Sequence, residues 1–348
     1  MSHQRYDALF GTGGIGSGAF FALNGSHTLG REESRSGRFL DRRDYCKLHI
    51  IAHYVQALMG PGFVVLPIGL VGDDDAGKRL LVEMQEAAID LRHVRVEPGG
   101  QTLFSFCFVY PDGSGGNLTV DDSASSHVDP ALIREAEPEL AACGKRGIAL
   151  AVPEVPLPAR AELLALATRY GLLRAASFTS GEIVQARDTG LLAQVDLLAV
   201  NRDEAAALAG VTADQQPVDL VWAAVNALRR LQPAALLSVT AGMDGSWAWD
   251  GRTLAHAPAH RVQVASTAGA GDAHFAGLLA GLATGLELSE AQELAALAAA
   301  LSVTSPHTIN KEISRPSLGA FAGAQPTRLS PAVCRMLGLA CTPPGPTC

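Results

Sequence analysis

The chain has 348 residues, of which 48% are apolar and 18% charged, and its formal net charge is −8. That balance excludes a disordered chain, and the negative charge argues against non-specific binding to nucleic acid, whose phosphates call for a basic surface. There is no basic amphipathic stretch for a membrane surface, and glutamates at 287, 290 and 293 interrupt the apolar run Phe275–Val303, so no membrane span is expected.

The first element is a short apolar strand that runs into GTGGIGSG. Gly11-Thr12-Gly13-Gly14-Ile15-Gly16 fits G-x-G-x-x-G, with a candidate helix after it and two acids, Glu32 and Glu33, about 20 residues downstream. Such a loop cradles the pyrophosphate of a dinucleotide when a helix follows it. Glycines at a strand end equally let backbone amides approach some other substrate. Residues 24–44 are polar and charged, too long for an ordinary connection. They read as a surface loop or as part of a lid. Arg31, Arg35, Arg38, Arg42 and Arg43 alternate there with Glu32, Glu33, Asp41 and Asp44. That pattern is a solvated face, or a grip on a charged acceptor. His49 and His53 stand four apart with no third ligand at useful spacing, so they read as packing.

Further along, FVVLPIGLVG (63–72) reads as a buried strand, and residues 76–89 read as an amphipathic helix. Residues 101–120 read as a hairpin around a Gly-rich turn. Its alternate apolar positions (LFSFCFVY) would suit pairing of two subunits, so a homodimer through the lid is one expectation. From Ile148 onward strand-like and helix-like segments alternate, with Gly210 marking one helix end. Crossovers of this kind imply a mostly parallel, doubly wound sheet. The segment after Pro316 is rich in proline and glycine and is expected to end loosely. Six scattered cysteines without C-x-x-C spacing, and a start without the apolar core of a signal peptide, read as reduced thiols in a cytoplasmic protein.

STAGAGDAHFAGLLAGLATG (266–285) carries the chemistry. Gly269-Ala270-Gly271 is a small-residue turn opening a helix, and its free amides at the positive end of the dipole form an anion site. Asp272 sits in the first helical turn. By itself such an acid is a favourable end charge. Phosphoryl transfer needs the same pair, amides for the developing charge and a base beside the acceptor hydroxyl.

Together with three further segments, this one resembles the PfkB/ribokinase-like carbohydrate kinases. Thr267–Asp272 and the small-residue helix match the family's C-terminal signature. Asn201-Arg202-Asp203-Glu204 matches its Asn-x-x-Glu, which acts near magnesium and the phosphates. LLSVTAGMDGSW, with Thr240, Gly242 and Gly245, matches a strand and loop lining the nucleotide. Gly69, Gly72, Asp73 or Asp74, and Gly77 match an N-terminal glycine and aspartate run. The acceptor half departs from the pattern. Gly16 stands where the family has an acid for acceptor hydroxyls, and Cys46-Lys47 and Ile51 stand in its Gly-Gly-x-x-x-Asn stretch. Ser266 replaces an Asp that helps hold an activating monovalent cation, which puts potassium dependence in doubt.

The resemblance implies an α/β ribokinase-like fold, with a mostly parallel sheet, helices on both faces and a small β lid. One kinase domain is expected over residues 1–315, with lid segments near 12–50 and 100–122, followed by a C-terminal extension over 316–348. It implies transfer of the γ-phosphoryl of ATP, with Mg²⁺, to a hydroxyl of a small sugar or sugar-like substrate. Asp272 is the expected base, and Gly269, Ala270 and Gly271 the anion hole. Asn201, Glu204, Thr240, Gly242 and Gly245 are the expected residues around ATP and its magnesium, which Glu204 would hold through water. Gly13, Gly14, Gly16, Asn24 and Lys47 are assigned to the acceptor. A nucleoside kinase, a nicotinamide-dependent oxidoreductase using GTGGIGSG, and a silent sugar- or nucleotide-binding regulator are the competing readings.

Overall fold

Ala8–Thr12 (β1) is buried at every position, as a parallel strand covered on both faces requires. The computed structural model describes residues 4–340 apart from 113, 114 and 327. After β1 come β2 (Gly16–Leu23) and β3 (Gly37–Tyr45), then α1 (Lys47–Met59), β4 (Val64–Gly72), α2 (Asp75–Glu86) and β5 (His93–Glu97). A hairpin of β6 (Leu103–Val109) and β7 (Gly115–Thr119) follows. Then come α3 (Pro130–Arg134), α4 (Glu137–Cys143), β8 (Gly147–Ala151), α5 (Leu157–Tyr170), β9 (Leu173–Ala176) and α6 (Ser180–Asp188). The next elements are β10 (Leu197–Asn201), α7 (Arg202–Ala209), α8 (Pro217–Leu231), β11 (Leu236–Thr240), β12 (Ser246–Trp249) and β13 (Leu254–Ala257). Four helices finish the described chain: α9 (Ala270–Ala283), α10 (Leu288–Ser302), α11 (Arg315–Gly323) and α12 (Pro331–Met336).

The described residues form a nine-stranded sheet in the order β13-β12-β11-β10-β9-β8-β1-β4-β5. Its strands are parallel from β5 to β11, and β12 and β13 form an antiparallel edge. One face packs on α1, α9 and α10, and the other on α5, α7 and α8. This is the α/β architecture that the alternation of segments predicts.

A second sheet, in the order β3-β2-β6-β7, makes the lid. Its two halves leave the main sheet after β1 and after β5, both at the carboxyl ends of the strands. Gly37–Tyr45, read above as part of a polar connection, is a strand of this sheet. Its buried positions include Asp41 and Asp44, so a search for apolar periodicity passes over it. Register puts Gly18, Asp44 and Ser105 on one face of the lid. On that face Ser105 Oγ donates to Asn117 Oδ1 at 2.6 Å. The opposite face is apolar, with Phe39, Phe104 and Leu118 exposed.

The segment after Pro316 is more ordered than its composition implies. Leu318 and Ala322 of α11 and Val333 of α12 join the core that holds α1, α9 and α10. Cys341 and Cys348, and the loose end expected there, lie outside the described residues, as does part of the hairpin's Gly-rich turn. Among the described residues no helix is long and apolar enough to cross a membrane. His49 and His53 pack edge-on against Tyr45 and Tyr54 respectively.

Candidate active site

The chain direction of the sheet decides where chemistry is possible. The carboxyl ends of β10 and β11 and the amino end of α9 converge on one cavity, lined by Lys47, Asn201, Glu204, Thr240, Gly271 and Asp272, among others. Binding outside the carboxyl ends of parallel strands is the rule for doubly wound sheets.

Gly269 caps α9 with φ of 74°, a conformation that favours glycine. A Cβ there would also meet the Thr308 carbonyl at 2.9 Å. Asp272 lies in the helix's first turn, and its Oδ1 is 3.3 Å from Lys47 Nζ. Lys47 is the first residue of α1, so the contact joins that helix to the turn at residues 269–271. The neighbouring Asp272 charge pushes the Lys47 ammonium up against the opposing effect of burial, so it stays protonated. The Ala270 amide donates to Thr267 O at 3.3 Å.

Asn201 and Glu204 cap α7 reciprocally. Asn201 Oδ1 accepts from Glu204 N at 2.9 Å, and Glu204 Oε2 accepts from Asn201 N at 2.8 Å. Burial raises the Glu204 carboxyl above its ordinary range. A second cavity of about 650 Å³ adjoins the first through Thr240, Gly271 and His274. Gly242, Gly245, Ala296, Ala299 and Val303 line it, mostly with apolar atoms, and the volume suits a nucleotide. His274 sits between the two cavities. Its Nε2 is 3.1 Å from Ser246 Oγ, and burial lowers its pKa to about 4, so the ring is neutral.

GTGGIGSG departs from the dinucleotide reading. The chain after it enters β2 rather than a helix, so no helix dipole points at the loop and the dinucleotide cradle is not formed. On the side where a Cβ would stand, protein atoms fill the space beside its glycines. A Cβ on Gly13 would stand 2.2 Å from Val152, one on Gly14 2.2 Å from Glu154 Oε2, and one on Gly16 2.6 Å from Leu103 O. The loop instead closes the start of α1: Leu48 N donates to Gly14 O at 3.1 Å and Cys46 N to Gly16 O at 3.2 Å. Asn24 does not reach this region. It lies beyond the far end of β2, about 25 Å along the strand from Gly16, where its Nδ2 donates to Ser36 Oγ at 3.0 Å. Of the arginines nearby, Arg35 pairs with Glu33, and Arg42 stacks on Phe39.

Sequence reasoning missed Glu154. It follows β8 with a φ of 79°, in the left-handed region that few side chains adopt. Its Oε2 accepts the Lys47 amide at 3.0 Å, supplying the cap that α1 lacks from its own Cys46. Burial raises its pKa to about 7 despite the nearby Lys47. The only sequence signal was an acid directly after an apolar strand and a proline.

The family profile described as pfkB family carbohydrate kinase matches residues 52–315. The chain belongs to that family. This carbohydrate kinase is an ATP-dependent phosphotransferase with an alcohol group as acceptor, and the comparisons lend nothing to an oxidoreductase. It is 28% identical over 239 residues to the ATP-dependent ribose-1-phosphate kinase of Halopiger xanaduensis, covering 67% of this chain and 72% of that protein. It is 31% identical over 259 residues to the bifunctional protein HldE of Caulobacter vibrioides, covering 73% of this chain and 50% of that one. The kinase thus spans about half the length of the HldE proteins it matches. Ribokinase from Cryptococcus neoformans in complex with ADP superposes with a TM-score of 0.73 at 19% identity, over 91% of this chain and 99% of that one. Ribokinase from Thermotoga maritima gives a TM-score of 0.72 at 19% identity, over 91% and 100%. At such identities these structures speak for the fold.

Proposed function

We propose that the kinase phosphorylates a hydroxyl of a sugar or sugar-like molecule held between the lid and the Lys47–Glu154 wall. The observation that carries this reading is the meeting of Lys47, Asp272 and the α9 amino end beside a nucleotide-sized cavity. The acceptor hydroxyl lies against Asp272, which orients it and takes its proton as the phosphoryl group moves. The amides of residues 269–271 and the Lys47 ammonium stabilise charge on that group. Magnesium, when bound with ATP, supplies charge neutralisation at the phosphates. Asn201 and Glu204 are the residues that would hold it, Glu204 through water. A panel of neutral sugars, sugar phosphates and nucleosides assayed for ATP consumption tests the reading, and no turnover with any class would count against it.

Glu204→Gln tests the metal assignment. The amide still accepts the Asn201 N–H, so the cap survives while the charge is lost. The expected result is a lower kcat and a magnesium titration displaced to higher concentration, with an unchanged melting temperature. An unaltered titration would remove Glu204 from the site.

Potassium is expected to activate little. Ser266 is buried and its hydroxyl accepts from Ala268 N at 3.2 Å. A neutral hydroxyl is a weaker cation partner than a carboxylate. Exchanging potassium for tetramethylammonium at fixed ionic strength should leave the rate largely unchanged, and a large drop would refute this.

A further inference from the structure

Strand β3 belongs to the lid, yet three of its residues reach the loop that follows α10. The Asp41 carboxylate pairs with His307 Nδ1, and Asp44 Oδ1 accepts the Thr308 hydroxyl. Lys311 Nζ lies 5.9 Å from the centre of the Tyr45 ring. Asp44 and Thr308 are 3% and 5% exposed, so their contact is shielded from water.

The same loop touches the anion turn and the Lys47 helix. The Thr308 carbonyl lies where a side chain on Gly269 would begin, so turn and loop meet with nothing between them. That carbonyl also accepts from Tyr54 Oη of α1 at 2.9 Å, and Asn310 N donates to the same hydroxyl at 2.7 Å. One short loop therefore contacts the lid, the helix that carries Lys47, and the cap of α9.

We propose that Asp44 is a positioning residue for phosphoryl transfer: by holding Thr308 it keeps the loop against Gly269, so the lid and the amides of residues 269–271 take up position together. The inference deepens the kinase reading and rests on it. A hydroxyl donating to a buried carboxylate is stronger than a neutral pair, and leaving that carboxylate unpartnered is costly. Burial raises the Asp44 carboxyl above its ordinary range, and the Thr308 bond opposes that rise. Close-packed interiors pass a displacement on rather than absorb it. A misplacement of about 1 Å at the reacting groups costs about 10²-fold in rate. The Asp41–His307 pair, on the same strand, is a second tie between lid and loop.

The test needs no acceptor. Hydrogen–deuterium exchange is followed by mass spectrometry on the full chain as wild type, Asp44→Ala, Asp44→Asn and Thr308→Val, with calorimetric titration of Mg·ADP alongside. Asp44→Ala and Thr308→Val should each speed exchange about tenfold in residues 303–312 and 266–272, the size of one hydrogen bond to a charged group. Residues 246–257 should not change, and Mg·ADP affinity should hold. Asp44→Asn, whose carbonyl still accepts from Thr308, should stay near wild type. Faster exchange confined to residues 37–45 and 303–312, with 266–272 unchanged, would overturn the proposal, because Asp44 would then only fasten the lid. If Asp44→Ala does not fold, Thr308→Val removes a single hydroxyl and decides the matter alone. Failure of the wild type to bind Mg·ADP would strike at the kinase reading and leave the exchange result standing.

Discussion

Asp272→Asn is expected to lower kcat by about 10²–10⁴-fold, the usual contribution of a positioned general base, while Mg·ATP still binds. The amide keeps the shape of the carboxylate at the α9 amino end but cannot take the hydroxyl proton. The large cavity is lined by other residues, so the nucleotide keeps its contacts. Lys47 loses its partner at 3.3 Å, so a melting curve must accompany the assay. Steady-state rates with the acceptor found by the panel, set beside ATP calorimetry, give the answer. A kcat near wild type would reduce Asp272 to a helix-end charge.

Glu154→Gln is expected to raise the acceptor KM about tenfold or more, the scale of a hydrogen bond to a charged group, and to flatten a pH dependence. The folded Glu154 carboxyl titrates at about 7, raised by burial from its ordinary 4.5. Between those values the folded protein holds a proton that the unfolded chain has released. Its contribution to stability therefore declines as pH rises from about 4.5 to about 7, and is level above that. Thermal melting across this window should fall less steeply in the glutamine variant than in the wild type. Parallel curves for the two proteins would show that Glu154 titrates elsewhere. The variant keeps an acceptor for the Lys47 amide, so a gross loss of fold is not expected.

The part of the cleft proposed for the nucleotide was legible in sequence because each piece of it is local. Asn201 and Glu204 cap one helix within four residues, and Gly269–Asp272 make one turn; short-range hydrogen bonds impose those spacings on any chain that folds this way. The part proposed for the acceptor is built from residues far apart in sequence. Glu154 caps a helix that begins at Lys47, and Asp44 meets Thr308, pairings that no local pattern encodes. The glycine loop misled for a related reason. Its spacing serves close approach to Val152, Glu154 and Leu103, and the same residues would serve close approach to a pyrophosphate. Only the element that follows, a strand instead of a helix, separates the two.

The lid's parentage also sets the order in which the enzyme can be made. Its central pair is β2 with β6, Gly16 against Leu103, and three strands and two helices intervene in the chain. Contacts of such long sequence separation form late, because the loop between them must first be closed. β1 and β5, the strands that deliver β2 and β6, are brought near each other through β4, which pairs with both. A nascent chain emerging from a ribosome can shape neither lid half alone, since the lone pair β2–β3 is a ribbon of the kind that is marginal in water. The lid can therefore close only after β1, β4 and β5 have paired. Until it does, the aromatic face of β6 is the segment most in need of protection from self-association.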